Sequence, residues 1–248
     1  MPSVDLNADL GEGAGSDAEL MPLVTSANIA CGAHAGDTAT MRVSMTLALR
    51  HGVAIGAHPG FADRANFGRL ELPVTPEAAA SLVVEQLGLA QAVANDLGVR
   101  IRHVKLHGAL YNLAVRSREH ADAIAAAVHG SHPALVFVGL AGSQLLAAGR
   151  ARGLKVASEV FADRTYQPDG SLTPRSQSNA LLKDPSSSIA QVLGMVRDHF
   201  VRCTDGTDIP VVADTICVHG DGPHAVALAR GIRAALEAAG VSIRALAA

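Results

Sequence analysis

The sequence predicts an α/β fold in which one domain, residues 1–248, forms a parallel (βα) barrel, TIM-like, seven-stranded and distorted. Three observations lead to this fold. Strand-like apolar segments alternate with helical segments along the chain, which implies parallel strands joined by right-handed crossovers. Nearly every strand ends in a histidine, a lysine or a carboxylate, and no Ser/Gly tract or charge block marks a linker. An open, doubly wound sheet is the alternative, but such a sheet gathers its polar residues at one switch point.

The strands are short apolar runs bounded by glycine, proline or polar residues. We place them at residues 4–9, 26–31, 53–58, 102–106, 134–140, 155–161 and 210–218. The C-terminal segment VSIRAL, residues 241–246, is compatible with an eighth strand.

The helices are predicted from their start and stop signals. In the clearest case Thr75 is the N-cap, Pro76 is the first helical residue, and the helix ends at Gly98. Further helices are predicted at residues 38–50, 117–128, 143–152, 186–200 and 223–239. Each is followed by a glycine or a loop and then by a strand, as a barrel requires.

The composition favours a cytoplasmic protein with a parallel sheet covered by helices. Hydrophobic residues make up 49% of the chain and aromatic residues only 3%, so Ala, Val, Leu and Ile must fill the core. A net charge of −3 and the lack of a basic patch argue against nucleic-acid binding. We expect no signal peptide, because Met1 leads straight into a strand without a charged leader or an apolar stretch. We expect no membrane span, because the longest uncharged stretch, residues 123–149, contains histidine, proline and glycine. The three cysteines have no CxxC spacing, which argues against a disulfide framework and a structural zinc site.

Titratable residues at the strand ends predict one shared active site. If the strands run parallel around a barrel, these side chains converge on its carboxyl-terminal face, where barrel enzymes carry their chemistry. The residues are Asp9, Glu12, His34, His58, Lys105, His107, Glu159, Asp163, His219 and Asp221.

Local sequence patterns make some of these residues stronger candidates for the active site than others. Asn7 and Asp9 share one face of the first strand, and the glycine-rich turn after them lacks the GK[ST] of a phosphate loop. Histidines at three successive strand ends indicate function, whereas those on helices are interpreted as structural. The helical ones are His51, His120, His129, His132 and His199. Lys105 shares a face with His107 and is a candidate for a fixed positive charge beside a developing oxyanion.

Two kinds of site fit these residues. A carboxylate with two or three histidines can bind a divalent metal that activates water. The same groups can also act without metal as general acid, general base and charge clamp. The spacing does not decide between them, and HExxH and GxSxG signatures are absent.

Six motifs occur in a fixed order: LNADLGEG, SANIACGAHAGD, GAHPGF with FGR after it, HVKLHGALYN, SEVFADRTY and TICVHGD. In order and spacing they resemble those of the LamB/YcsF family, the A subunits of 5-oxoprolinases. The resemblance covers about residues 4–224. It departs from the family pattern at Ala8, where cysteine is common, and at Leu106, where proline is common.

The resemblance implies a barrel similar to those of polysaccharide deacetylases and related glycoside hydrolases. It also implies ATP-dependent cleavage of 5-oxo-L-proline to L-glutamate, with ATP hydrolysed to ADP and phosphate, together with partner subunits B and C. On this hypothesis Asp9 or Glu12 is the base or a metal ligand. His58 and His107 are acid/base groups or ligands, and Lys105 is the charge clamp. A divalent metal, if bound, is assigned to Asp9, His58 and His107. Substrate or phosphate contacts are assigned to Asn7, His34, Arg69, Glu159, Asp163, Arg164, His219 and Asp221.

Two other functions stay open at this point. One is a metal-dependent amide or N-acetyl hydrolase that needs no ATP, and the other is a non-catalytic subunit that binds a lactam. The number of titratable groups argues against a pure binder, because buried charges are costly unless they are paired or used. The sequence does not decide whether the substrate is 5-oxoproline or a related small lactam. It also does not decide whether the chain forms a homo-oligomer.

Overall fold

The computed structural model describes residues 2–219 and 224–246 and confirms the predicted barrel. Within these residues, seven parallel strands form a closed ring. The ring closes because its first strand pairs with both the second strand and the seventh strand of the ring. In chain order the strands are β1 (Ser3–Leu10), β2 (Ser26–Ala30), β3 (Ala54–His58), β4 (Ile101–Lys105), β5 (Val136–Leu140), β6 (Val156–Phe161), β7 (Phe200–Arg202), β8 (Asp208–Pro210), β9 (Thr215–Val218) and β10 (Ser242–Ile243). The barrel consists of β1 to β6 and β9.

The helices lie outside the barrel. They are α1 (Asp17–Leu20), α2 (Thr38–His51), α3 (Pro76–Leu97), α4 (Gly108–Arg116), α5 (Arg118–Ser131), α6 (Gln144–Ala151), α7 (Pro185–Leu193) and α8 (Ala225–Ala238). Helix α3 has its predicted bounds, because the Thr75 hydroxyl accepts a hydrogen bond from the Ala78 amide and Gly98 takes a left-handed φ of 66°. None of the helices in the described ranges is long and apolar enough to cross a bilayer.

Alternation along β1 separates a hydrophobic layer from a polar interior. Leu6, Ala8 and Leu10 belong to the hydrophobic core, whereas Asp5, Asn7 and Asp9 bond to side chains of other strands. The deepest of these, Asp5, accepts hydrogen bonds from the hydroxyls of Ser26 at 2.6 Å, Thr25 at 2.7 Å and Thr215 at 2.5 Å. Burial nevertheless raises the pKa of Asp5. The barrel interior is therefore polar from its floor to the carboxyl ends of the strands.

The prediction was wrong at several element boundaries near the C-terminus. The predicted strand 210–218 is shorter, since β8 pairs antiparallel with β7 and only β9 enters the barrel. The segment 241–246 supplies β10, which pairs with Ser3 and Val4 while the ring closes through β9. The predicted helix 186–200 ends at Leu193 in a π-helical turn, after which His199 has a φ of 59°. The start predicted at residue 223 lies outside the described residues, and α8 is described from Ala225.

Two unpredicted segments shape the carboxyl end of the barrel. Helix α4 begins at Gly108, directly after the strand-end His107. Residues 162–184 have little regular structure apart from isolated bridges, such as the one between Tyr166 and Leu172. Both segments line a pocket at this end of the barrel.

Candidate active site

A pocket of about 550 Å³ opens at the carboxyl ends of the barrel strands, where the sequence predicted the site. The predicted residues that line it are Asp9, Glu12, His58, Arg69, Lys105, His107, Arg164 and His219. Four more stand directly behind its wall, namely Asn7, His34, Glu159 and Asp163. Asp221 lies outside the described residues.

Lys105 forms the base of the pocket. Its ammonium donates to Asp9 Oδ1 at 2.8 Å and to Cys217 Sγ at 3.0 Å, and it lies 2.9 Å from Glu159 Oε1. Burial opposes the charge, but the Asp9 carboxylate, with Cys217 and Glu159, raises the pKa of Lys105 well above its usual value. Lys105 therefore stays protonated and acts as a fixed cation rather than as a nucleophile.

Glu159 and Asn7 support this cation from below. Glu159 is fully buried; its Oε2 accepts a hydrogen bond from the Tyr111 hydroxyl at 2.8 Å, and its Oε1 accepts one from Asn7 Nδ2 at 3.3 Å. Both residues were predicted as substrate contacts. The structure places them beneath Lys105, where they orient the cation.

Asp9 is held on its other side by a chain of hydrogen bonds that sequence reasoning missed. Asn28 Nδ2 donates to Asp9 Oδ1 at 2.8 Å, and His103 Nε2 donates to Asn28 Oδ1 at 2.8 Å. Strand register brings Asn28 directly beside Asp9. A signal for His103 was available, because alternation puts it on the same strand face as Lys105 and His107.

Gly56 provides the space that the His103 ring occupies. Register pairs the two residues, and a Cβ at Gly56 would stand 2.0 Å from His103 Nε2. We expect Gly56→Ala to lower the free energy of unfolding by about 1–3 kcal/mol through overpacking, as measured by urea denaturation.

Gly88→Ala is the matched control for this change. Gly88 lies in α3 with no atom within 4 Å of the added Cβ, so the same substitution should raise stability by about 0.4–1 kcal/mol. Equal effects at the two glycines would contradict the close packing of His103 on Gly56.

His103 should also make stability depend on pH. Burial, followed by the charge of Lys105, lowers the pKa of His103 to about 3, whereas an unfolded histidine titrates near ~6.5. Below pH ~6.5 the unfolded chain therefore binds a proton that the folded chain does not, and stability falls as the pH falls. When the pH is lowered from 7 to 5, the free energy of unfolding of the wild type should fall by about 1–2 kcal/mol more than that of a His103→Gln variant. Parallel pH profiles of the two proteins would contradict a neutral, buried His103.

The three strand-end histidines meet around Glu12. Glu12 Oε1 lies 3.1 Å from His34 Nε2, 3.3 Å from His107 Nδ1 and 3.8 Å from His58 Nε2. Burial opposes charge on His58, but the Asp9 carboxylate raises its pKa. Burial and the nearby His58 lower the pKa of His107, and burial lowers that of His34. This cluster forms one side of the pocket.

His219 lines another part of the pocket, and Asp163 stands behind it. His219 Nδ1 lies 2.9 Å from both carboxylate oxygens of Asp163, and the ring stacks on Phe161. Burial opposes charge on Asp163, yet His219 keeps the pKa of Asp163 below its usual value. A carboxylate that accepts a hydrogen bond from Nδ1–H leaves the lone pair on Nε2, which is the arrangement of a general base.

Arginines surround the outer part of the pocket. Arg164 is held by the carbonyls of Ala180 and Thr173, to which its guanidinium donates. The Arg69 guanidinium stands over the Phe67 ring at 4.8 Å, and Arg116 pairs with Glu71. Arg116 and the exposed Arg175 also line the pocket, although neither was among the predicted site residues.

Fold and site together define a parallel βα barrel protein with a titratable pocket at the carboxyl ends of its strands. The chain belongs to the LamB/YcsF family, whose sequence profile matches residues 4–248, as the motifs predicted. A relative from Brevibacillus brevis, named as the A subunit of a 5-oxoprolinase, is 54% identical over 250 residues, which cover 99% of this chain and 98% of the relative.

Solved structures agree with this family membership. The crystal structure of a lactam utilization protein from Thermus thermophilus has a TM-score of 0.91 and 44% identity, covering 98% of this chain and 100% of that one. A family 4 carbohydrate esterase from Streptomyces lividans has a TM-score of 0.50 and 11% identity, covering 99% and 93% of the two chains. The second likeness concerns the fold alone.

Proposed function

We propose that this chain is the lactam-binding and ring-opening subunit of an ATP-dependent 5-oxoprolinase. The reaction converts 5-oxo-L-proline, ATP and two waters to L-glutamate, ADP and phosphate. The names of the relatives, one the A subunit of a 5-oxoprolinase and the other a lactam utilization protein, support a role in 5-oxoproline metabolism. The observation that carries the catalytic part is the pocket itself, where the Asp163–His219 pair faces the buried Lys105–Asp9 pair.

The chemistry of a five-membered lactam explains why these groups are needed. The amide is stabilised by resonance, so ring opening requires activation of its carbonyl. Transfer of the terminal phosphoryl group of ATP to the amide oxygen would provide that activation and release ADP. Water then adds to the carbonyl carbon, the C–N bond breaks as the nitrogen takes up a proton, and a second water hydrolyses the resulting acyl phosphate.

The residues of the pocket suit these steps. His219, oriented by Asp163, can take a proton from the attacking water and return one to the leaving nitrogen. Lys105 supplies a fixed positive charge for the oxygen that becomes negative in the transition state. The pocket is larger than the lactam, and its outer part is lined by arginines suited to a phosphate group, among them Arg116 and Arg175.

The relatives are named as subunits, which supports partner chains, and we propose that these are subunits B and C. We also propose a cytoplasmic location, because ATP is available there.

The test is to purify the chain alone and together with subunits B and C, supply 5-oxoproline and ATP, and measure glutamate and phosphate in the same sample. We expect both products in equal amounts, and only with the partners present. Release of glutamate without ATP would contradict the coupling. If the complete complex containing His219→Gln, Lys105→Met or both retained full turnover, this chain would be a binding subunit.

An amide hydrolase that requires a metal but no ATP is the second candidate. The convergence of His58, His107 and Glu12 on one point favours it. Glutamate formation that is independent of ATP and lost to a chelator would support this candidate over the first.

A further inference from the structure

Hydrogen bonds to two backbone carbonyls set the tautomers of His58 and His107. His58 Nδ1 lies 2.8 Å from the Lys105 carbonyl oxygen, and His107 Nε2 lies 2.9 Å from the Phe67 carbonyl oxygen. A carbonyl can only accept, so both of these nitrogens carry protons. In the neutral rings the lone pairs are therefore on His58 Nε2 and His107 Nδ1.

These two lone-pair nitrogens point at each other. They are 3.0 Å apart, in rings that are almost fully buried. Glu12 Oε1 adds a third acceptor, 3.3 Å from His107 Nδ1 and 3.8 Å from His58 Nε2. Three acceptors that face one point repel each other unless a cation or a proton lies between them. Histidines whose other nitrogen donates to a carbonyl are typical of metal ligands, because that bond fixes the tautomer and the ring direction.

We infer that Glu12 Oε1, His58 Nε2 and His107 Nδ1 form a binding site for one divalent transition metal, with zinc as the best-matched ion. Nitrogen and oxygen ligands at ~2.0–2.2 Å from zinc stand about 3.0–3.6 Å apart at ordinary coordination angles. Two of the three separations fall in this range, and the third, 3.8 Å, exceeds it only slightly. Imidazole and carboxylate donors suit zinc, and three protein ligands leave a position for water or substrate.

His34 is a supporting residue rather than a ligand. Its ring is parallel to that of His107, with an angle of 2° between the planes and 3.8 Å between the centroids. One ion cannot lie in both ring planes, as coordination by both lone pairs would require. His34 Nε2 instead lies 3.1 Å from Glu12 Oε1, where it can donate a hydrogen bond that orients the carboxylate.

Asp9, which the sequence placed in the ligand set, is replaced by Glu12 in this site. Asp9 Oδ1 accepts hydrogen bonds from Lys105 and Asn28. The ammonium of Lys105 also donates to Cys217 Sγ and so already supplies the positive charge between Asp9 and Cys217. Asp9 Oδ2 lies 3.4 Å from His58 Nε2, so the Asp9–Lys105 pair borders the metal site at His58.

The test is metal binding by the full chain, without partners or substrate. The protein is stripped with a chelator and titrated with zinc against a chromophoric competitor, and cobalt absorption is recorded as a second readout. We expect one equivalent of zinc in the wild type and in His129→Gln, a control at an exposed helical histidine. Glu12→Gln, His58→Gln and His107→Gln should each lose stoichiometric binding, whereas His34→Gln should keep it with affinity weakened by about 10- to 100-fold.

Thermal unfolding distinguishes a variant that is folded but cannot bind zinc from one that has failed to fold. Zinc should raise the melting temperature of the wild type and of His129→Gln, but not that of folded Glu12→Gln. A wild type that binds zinc and cobalt no better than His58→Gln would overturn the inference and leave a shared proton between His58 and His107. If the assembled enzyme releases no glutamate although zinc binding is intact, the proposed reaction is wrong and the metal site is not. Failure of the metal site and failure of the proposed function therefore give different results.

Discussion

Lys105→Met is expected to lower the free energy of unfolding by about 3–5 kcal/mol and to abolish ring opening. Lys105 is the cation that lies between Asp9 Oδ1 at 2.8 Å and Glu159 Oε1 at 2.9 Å. Methionine fills a similar volume but leaves the buried Asp9 and Glu159 carboxylates without their cationic partner. Urea denaturation measures the loss of stability, and glutamate release by the complex measures the loss of activity.

Two companion variants make the result specific. Lys155→Met removes the same charge from an exposed position and should change stability by no more than about 0.5 kcal/mol. Lys105→Met combined with Glu159→Gln should recover part of the lost stability, because only one buried carboxylate then lacks its cation. A double variant less stable than Lys105→Met would show that the two side chains are not coupled through charge.

His219→Gln is expected to reduce turnover by about 10²- to 10⁴-fold. The ring borders the pocket with its Nδ1 held by Asp163 at 2.9 Å, and glutamine cannot transfer a proton in its place. Turnover is measured as glutamate release by the complex with subunits B and C. His129→Gln, on the exposed side of α5, is the control and should keep wild-type turnover.

Asp163→Asn tests whether the two residues act as a unit. The amide can no longer hold His219 in the required tautomer by charge, so turnover should fall within the same range of about 10²- to 10⁴-fold. If the residues act together, the double variant should be little worse than His219→Gln alone. Additive losses would mean that Asp163 has a separate task, such as contacting the substrate.

Residues at strand ends were predictable because their signal is local. A histidine or carboxylate after an apolar strand is recognisable from a few residues of sequence, and parallel strands bring such ends to one face. This reasoning placed Asp9, Lys105 and His219 at one pocket, as the structure has them. It missed Asn28 and His103, which lie deeper in their strands and matter because of their neighbours on the next strand.

The roles within the pocket depended on distances that no local pattern contains. Glu159 was predicted to contact substrate, but it lies fully buried beneath Lys105. Arg164 lines the pocket, but its guanidinium is held by two backbone carbonyls. The irregular residues 162–184 also escaped prediction, since they are ordered by contacts with distant parts of the chain, such as the Tyr166 bridge to Cys203.

By itself the sequence determined the parallel barrel, the family and the end of the barrel that carries the site. Alternating strand and helix signals and strand-end polar residues are properties of short segments, so they can be recognised without knowledge of the fold. Only the tertiary structure decided which side chains pair: Lys105 with Asp9 and Glu159, His219 with Asp163, and His58 with His107. These pairs join residues far apart in the chain, and their geometry follows from strand register and barrel closure.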